Sequence, residues 1–281
     1  MLKGVEKSAV FIINLKQSIE RKNHMQELCD KIGLRATFVE AVDGRHMARE
    51  KFAGTYSKEA AVRVIGRELS GGEIGCALSH ITAYKRIIEE NLSVALILED
   101  DIEFDESMLD ILSEIGSLPR DWELVLLGHH SSASRSSVTM SSLLGRKVLG
   151  ENHKLLRPVG LVCGTYGYLI NGAGARKLLE LTRTLTKPID HYTGDDSSVN
   201  LYIVHPSVVR INEYLSDIYH SMEDRQELLN TSGSLVDTSS FSWYKKLAIS
   251  LNVYKFLNIA LYVLRKPILI LKPLRTYGDR D

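Results

Sequence analysis

The chain has 281 residues, 44% of them hydrophobic and 25% charged, and its 35 basic side chains balance its 35 acidic ones. That length supports one large folded domain, the composition excludes a disordered or fibrous chain, and zero net charge gives no overall pull toward nucleic acid. The charge is unevenly placed: from Phe241 onward eight basic residues face only Asp279 and Asp281, so the tail carries 8 − 2 = +6 and the body −6.

Cys29, Cys76 and Cys163 lie far apart with no metal-like spacing, which suits reduced thiols with packing roles in a cytosolic compartment. Met1 to Ser8 is polar and short, unlike a signal peptide. No apolar run reaches about 18 residues, so no transmembrane helix is expected.

Ser8 to Leu15 is a β-branched apolar run that suits a buried strand. Ser18 to Ile32 follows as a helix, with Ile19, Met25, Leu28 and Ile32 as its inner face. Ala36 to Val42 alternates as a second strand and ends at the Asp43-Gly44 turn. Ser70-Gly71-Gly72-Glu73 has the form of a capping box. The helix it opens places Ile74, Ala77, Leu78, Ile81 and Ile88 on one face, with Glu73, Cys76 and His80 on a neighbouring stripe.

Ser93 to Leu98 is the clearest buried strand and runs into Glu99-Asp100-Asp101. Trp122 to Leu127 is another strand, followed by Gly128-His129-His130, whose histidines have no partner spacing and are read as loop. Ser131 to Ser142 is serine-rich and aperiodic, a mobile loop. Tyr166 to Ile170 and a helix over Ala173 to Leu181 repeat the strand-turn-helix rhythm, and Tyr202 to Val209 is a strand whose Pro206 favours an edge. This alternation predicts an α/β domain over residues 1–240 with a largely parallel sheet.

At the end of the Ser93 strand, side-chain alternation puts Glu99 and Asp101 on one face and Asp100 on the other. The carboxyl end of a strand in an open α/β sheet lies at the ligand crevice. Hard cations such as Mg²⁺ or Mn²⁺ take oxygen ligands and share them with phosphates, so this cluster suits a metal set against a diphosphate. A solvated acidic turn is the plainer reading of the same three residues.

With these segments on the page, the sequence resembles glycosyltransferase family 25, the lipooligosaccharide-type galactosyltransferases related to collagen galactosyltransferases. The resemblance is carried by Phe11-Ile12-Ile13-Asn14-Leu15, Glu20-Arg21-Lys22, Val42-Asp43-Gly44, the run Leu69 to His80, and Leu98-Glu99-Asp100-Asp101. A looser match spans Gly167 to Ile170 and Lys187-Pro188-Ile189-Asp190.

The resemblance implies a GT-A-like nucleotide-sugar fold, use of Mn²⁺ or Mg²⁺, and an inverting transfer from a UDP-hexose, chiefly UDP-galactose, to a surface oligosaccharide. It places Asn14, Leu15, Arg21 and Asp43 near the nucleotide. Glu73, Ser79 and His80 belong by the same likeness to the donor pocket, and Glu99, Asp100 and Asp101 take the metal role, with Asp100 also contacting the donor. An inverting transfer needs a base at the acceptor hydroxyl. Asp190 is the first candidate and Asp196 the second, against a plain turn or helix-cap role.

Residues 241–281 interleave aromatic, aliphatic and basic side chains, with breaks at Pro267 and Pro273. Such a helical, basic tail is expected to lie in an anionic membrane interface, although packing on the core is the alternative. It suits a cytoplasmic enzyme, peripheral on the inner membrane, whose acceptor is a lipid-linked glycan, with no nucleic-acid partner. Three rival readings stand beside this one: a UDP-glucose-dependent relative, a non-catalytic glycan- or nucleotide-binding membrane adaptor, and a metal-dependent phosphohydrolase.

Overall fold

A computed structural model describes residues 2, 5–131, 140–141, 147–150, 152–158 and 161–212. The basic tail, residues 241–281, lies outside the described residues, as does most of the serine-rich segment. In chain order the elements are β1 (Ser8–Asn14), α1 (Ile19–Lys31), β2 (Thr37–Glu40), α2 (Lys58–Ile65), α3 (Gly71–Glu89), β3 (Val94–Glu99), β4 (Ile102–Phe104) and α4 (Ser107–Ser113). They continue with β5 (Leu124–Leu126), β6 (His130–Ser131), β7 (Met140–Ser141), β8 (Lys147–Leu149), β9 (His153–Pro158), β10 (Val162–Cys163) and β11 (Gly167–Asn171). The last are α5 (Gly172–Leu181), α6 (Asp190–Thr193), β12 (Leu201–His205) and β13 (Val209–Ile211).

The main sheet runs β2-β1-β3-β11-β5-β12-β9-β7, with β8 also on β9. β1 is parallel to β2 and β3, and β12 to β5, while β11 and β9 run against their neighbours. The result is the expected mixed α/β architecture, in which most strands of the central sheet share one direction. Two small antiparallel pairs, β10 with β6 and β13 with β4, flank its carboxyl edge.

Alternation along the central strands builds two cores. Val10, Ile12, Leu96, Leu98, Leu169, Tyr202 and Val204 face the side covered by α1 and α4. Phe11, Ile13, Ala95, Ile97, Ile170, Leu201 and Ile203 face the side covered by α3 and α5. Strands buried on both faces read as unbroken apolar runs, which is why Ser8 to Leu15 and Ser93 to Leu98 stood out in the sequence.

Three expectations are corrected. Ile19 is 64% exposed and Cys29 takes its place on the inner face of α1, beside Met25 and Leu28. On α3 the buried face is Ile74, Gly75, Ala77, Ser79, His80, Ala83, Tyr84 and Ile87, while Leu78, Ile81 and Ile88 are only partly buried. Hydrophobicity misjudged this helix because its polar stripe meets polar partners inside the fold. Finally, β12 is interior, between β5 and β9. Pro206 follows its last residue, His205, so it removes no ladder hydrogen bond and demands no edge.

Candidate active site

The carboxyl ends of β1 and β3 lie side by side, Ile13 opposite Glu99, and the site is assembled around them. Asp100 and Asp101 form the bend between β3 and β4, and both are buried, unlike a solvated acidic turn. The bend is held in place because the amide of Asn212, just past β13, donates to the Asp101 carbonyl at 2.7 Å. The Asn212 side chain in turn reaches Glu103 at 2.7 Å.

Alternation sends the carboxylates to opposite sides. Asp100 turns toward α1, where Asn14 Nδ2 donates to Oδ2 at 2.7 Å and Arg21 Nη1 donates to Oδ1 at 3.2 Å. Asn14 also donates to the Ser18 carbonyl at 3.1 Å, tying the start of α1 to the end of β1. Burial nonetheless holds the Asp100 carboxyl above its ordinary value, against the opposing pull of Arg21 and Asn14, and Glu99 adds to the rise. Glu99 turns toward α3, where His80 Nε2 lies 3.2 Å from Oε1. Asp101 is buried as well, and burial first, then the charge of Glu99 and more weakly that of Asp101, pushes the Cys76 thiol up.

The glycines of the Leu69 to His80 run have a steric reason. The loop Val42-Asp43-Gly44 lies directly on the first turns of α3. A Cβ on Gly75 would meet the Val42 carbonyl oxygen at 2.5 Å, and one on Gly71 would meet the Gly44 carbonyl oxygen at 2.4 Å. Side chains at these positions would drive two backbones apart. Ser79 completes the seat: its hydroxyl accepts from the Val42 amide at 2.8 Å and donates to the Gly75 carbonyl at 2.7 Å. Asp43 is thereby presented outward, accepting from Gln17 at 2.8 Å with His46 Nδ1 at 2.7 Å, and His46 draws its carboxyl below the ordinary value.

Several residues expected at the donor pocket make bracing contacts inside the fold. Ser79 is buried beneath the loop it clamps. Glu73 completes the capping box with Ser70 and receives both guanidinium arms of Arg67, at 2.8 and 2.7 Å. His80 is fully buried and acts through Glu99, with Nδ1 2.8 Å from Tyr168 Oη and that hydroxyl 2.9 Å from Tyr84 Oη. Leu15 is half-buried at the end of β1, its carbonyl accepting from Ser18.

Asp190 opens α6, with Cys163 and His191 beside it. Burial above all raises the Cys76 thiol, with Glu99 and then Asp190 adding to it, and the Glu73 hydrogen bond, with a smaller part from Asp190, holds the Arg67 guanidinium in its charged form. Burial, then Asp190, push the Cys163 thiol up to about 12. α6 is fixed against β10 by Gly194, where a Cβ would overlap the Val162 carbonyl oxygen and whose own carbonyl accepts from the Val162 amide at 3.0 Å. Asp196 lies beyond α6, in the turn after Asp195.

Sequence reasoning missed Arg67, Cys76, Cys163 and His191 as members of this neighbourhood. Among the described residues, two groups bring three ligand-type atoms within 4.8 Å of one another: Cys76 with His80 and Glu99, and Cys163 with Asp190 and His191. The pairing of Cys76 with His80 at i, i+4 on one helix was the available signal; Cys163 gave none.

Comparisons with known proteins place the chain in a family. A glycosyltransferase 25 family member from Aedes aegypti is 32% identical over 205 residues, which is 66% of this chain and 30% of that protein. Procollagen galactosyltransferase 1-A from Xenopus laevis is 29% identical over 197 residues, 65% of this chain and 30% of that one. A probable inactive glycosyltransferase 25 family member 3 from Rattus norvegicus is 27% identical over 198 residues, 65% and 32% respectively. This chain thus matches under a third of the length of these relatives. The family model of glycosyltransferase family 25 (LPS biosynthesis protein) spans residues 7–193, from the start of β1 through α6, and the chain belongs to that family.

Proposed function

We propose that this chain is a catalytic hexosyltransferase that moves galactose from UDP-galactose to a glycan hydroxyl with inversion. The observation that supports the reading is the gathering of Glu99, Asp100 and Asp101 at the carboxyl end of β3, beside the end of β1, in a chain of this family whose matched region ends with Asp190 on α6. An inverting transfer needs these two functions in one crevice: a base for the acceptor and a charge sink for the departing diphosphate.

Asp190 takes the proton of the attacking hydroxyl, with Asp196 as the second candidate. The donor set at the strand end fits Mn²⁺ or Mg²⁺, because carboxylate oxygens suit hard ions and retain acceptor capacity beyond one contact each. Asp100 and Asp101 are both buried at the strand end, where carboxylate oxygens call for a compensating partner. Of the three expected ligands, Glu99 and Asp101 would hold the ion, which when bound supplies positive charge against the UDP phosphates, while Asp100 points to the opposite side, toward Asn14 and Arg21. Asn14 and Arg21 fix Asp100, and Arg21, Leu15 and Asp43 line the nucleotide side.

The acceptor we favour is a lipid-linked lipooligosaccharide core, in keeping with a family described as LPS biosynthesis proteins. The basic tail would hold the enzyme on the anionic cytoplasmic leaflet. Among the described residues no helix is long and apolar enough to cross a membrane. The procollagen galactosyltransferases among the relatives make a collagen hydroxyl the acceptor to test beside it. A relative described as probably inactive favours the second reading, a binding protein without turnover.

The test is UDP release by the full chain with UDP-galactose and UDP-glucose, with and without Mn²⁺, against both acceptor classes. We expect metal-stimulated release with UDP-galactose. Asp190→Asn should lower turnover by roughly 10²–10⁴-fold with UDP affinity unchanged. Tight UDP binding with no turnover on any pair would establish the non-catalytic reading, and full activity in the variant would remove Asp190 from the base role.

A further inference from the structure

Cys76 and His80 stand one turn apart on α3, so their side chains share a face. Glu99 reaches them from the end of β3. Its Oε1 lies 3.2 Å from His80 Nε2 and 4.0 Å from Cys76 Sγ, and the three ligand atoms fall within 4.8 Å of one another. We propose that Cys76, His80 and Glu99 form a binding site for one thiophilic divalent cation of the zinc class, separate in chemistry from the hard ion assigned to the strand-end oxygens.

Bond lengths near 2.0–2.3 Å to nitrogen, oxygen and sulfur in a tetrahedral shell put neighbouring ligand atoms about 3.3–3.8 Å apart. The His80–Glu99 and Cys76–Glu99 spacings bracket that range and the third pair lies within 4.8 Å, so side-chain adjustment of up to about 1 Å closes the shell. A sulfur ligand with an imidazole selects for zinc-like ions over Mg²⁺ and Mn²⁺.

The surroundings are those of a built site. His80 is fully buried, and its other ring nitrogen, Nδ1, is 2.8 Å from Tyr168 Oη, which is itself 2.9 Å from Tyr84 Oη. An outer hydrogen bond of that kind fixes the orientation and tautomer of a metal-bound imidazole. In the loaded site Nδ1 carries the ring proton and donates to Tyr168, and Nε2 holds the ion. Binding releases the Cys76 thiol proton to solvent. Three protein ligands leave one position for water.

Only Glu99 is shared with the transferase reading, and the experiment reads a thiol and a spectrum, not turnover, so the two can fail separately. The chelator-treated full chain is alkylated with iodoacetamide, with and without Zn²⁺ or Mn²⁺, and each cysteine is followed by peptide mass mapping. Zn²⁺ should slow modification of Cys76 by roughly tenfold or more while leaving Cys29 and Cys163 unchanged, and Mn²⁺ should not protect.

In parallel, Co²⁺ should give the wild-type chain a sulfur-to-cobalt charge-transfer band that Zn²⁺ displaces. The band should vanish in Cys76→Ser and persist in Cys163→Ser, which tests the neighbouring Cys163, Asp190 and His191 group. Absence of the band in the wild type, protection that falls on Cys163, or equal protection by Mn²⁺ would each overturn the assignment. Should Cys76→Ser not fold, the two wild-type measurements still decide.

Discussion

The seat of the Val42 to Gly44 loop on α3 can be tested with two single-methyl substitutions three residues apart. In Gly75→Ala the new Cβ meets the Val42 carbonyl oxygen at 2.5 Å and the Gly44 amide nitrogen at 2.6 Å, whereas ordinary contact begins near 3.4 Å. The loop must retreat by 3.4 − 2.5 = 0.9 Å, because both sides of the contact are backbone. A retreat of that size also opens the 2.8 Å bond from the Val42 amide to Ser79. Overpacking costs about 1–3 kcal/mol and the lost hydrogen bond about 1 more, a total of about 2–4 kcal/mol. For a domain of this size that lowers Tm by roughly 5–15 °C.

Gly72→Ala is the internal control. Its Cβ would find nothing closer than Arg45 Cγ at 3.8 Å and Ser70 Oγ at 3.9 Å. Alanine there should stabilise the helix by about 0.5–1 kcal/mol. Thermal unfolding of both variants, with hydrogen exchange at Val42 to locate the change, reads the difference. A Gly75→Ala protein that melts with the wild type, or a Gly72→Ala protein that falls as far as Gly75→Ala, would refute the steric account of this motif. If Asp43 contacts the donor, Gly75→Ala should also weaken UDP binding, since displacements near 1 Å at a positioned group cost as much as 10²-fold.

Arg21→Met removes the cation beside a mostly buried Asp100 and should destabilise the chain by about 3 kcal/mol at pH 7. A carboxyl whose folded value is raised is neutral below that value, so the loss should shrink as pH falls through it; urea unfolding that shows equal loss at pH 7 and in mild acid would count against the pair. Tyr168→Phe deletes the hydroxyl between His80 and Tyr84 and should cost about 1–3 kcal/mol, with the His80 ring resonances changing their tautomer pattern in nitrogen NMR. Unmoved His80 resonances would show that Tyr168 does not orient the ring. Burial raises the Cys29 thiol from 9.0 to about 11, so the folded state keeps a proton that the unfolded chain loses above pH 9. Stability should therefore fall between pH 9 and 11 by up to about 1.4 kcal/mol per pH unit from this group, and Cys29→Ala should flatten that alkaline slope. An unchanged slope would assign the loss to other groups.

What the sequence revealed, and what it hid, follows from how each signal is generated. β1 and β3 are buried on both faces, so their apolar runs were legible, and the Ser70 to Glu73 cap was legible because its chemistry is local. Alternation also anticipated the split of Glu99 from Asp100, which needs only the two-residue period of a strand. The inner face of α3 was misread because Ser79 and His80 are polar residues buried against a loop and a strand far away in sequence. Asp190 could be matched to the family, but its place beside Cys163 depends on α6 packing at Gly194, which no local pattern encodes. Arg67, Cys163 and His191 were missed for the same reason: their partners are tertiary.

The acidic strand end and the histidine stripe of α3 are two halves of one device. Glu99 belongs to β3 by backbone and meets α3 by side chain, through His80 and Cys76. Asp100, one residue on, answers instead to Asn14 and Arg21 on the opposite face. The bend that carries both is fixed by β4 pairing with β13 and by the Asn212 amide on the Asp101 carbonyl. With the backbone held, side-chain partners alone determine which oxygens face the crevice. Cutting the tether with Asn212→Pro, which removes that amide, should thus loosen Glu99 and Asp100 together. Substitutions on α3 or α1 should move only one of them, a contrast that carboxylate-selective NMR of Glu99 and Asp100 would expose.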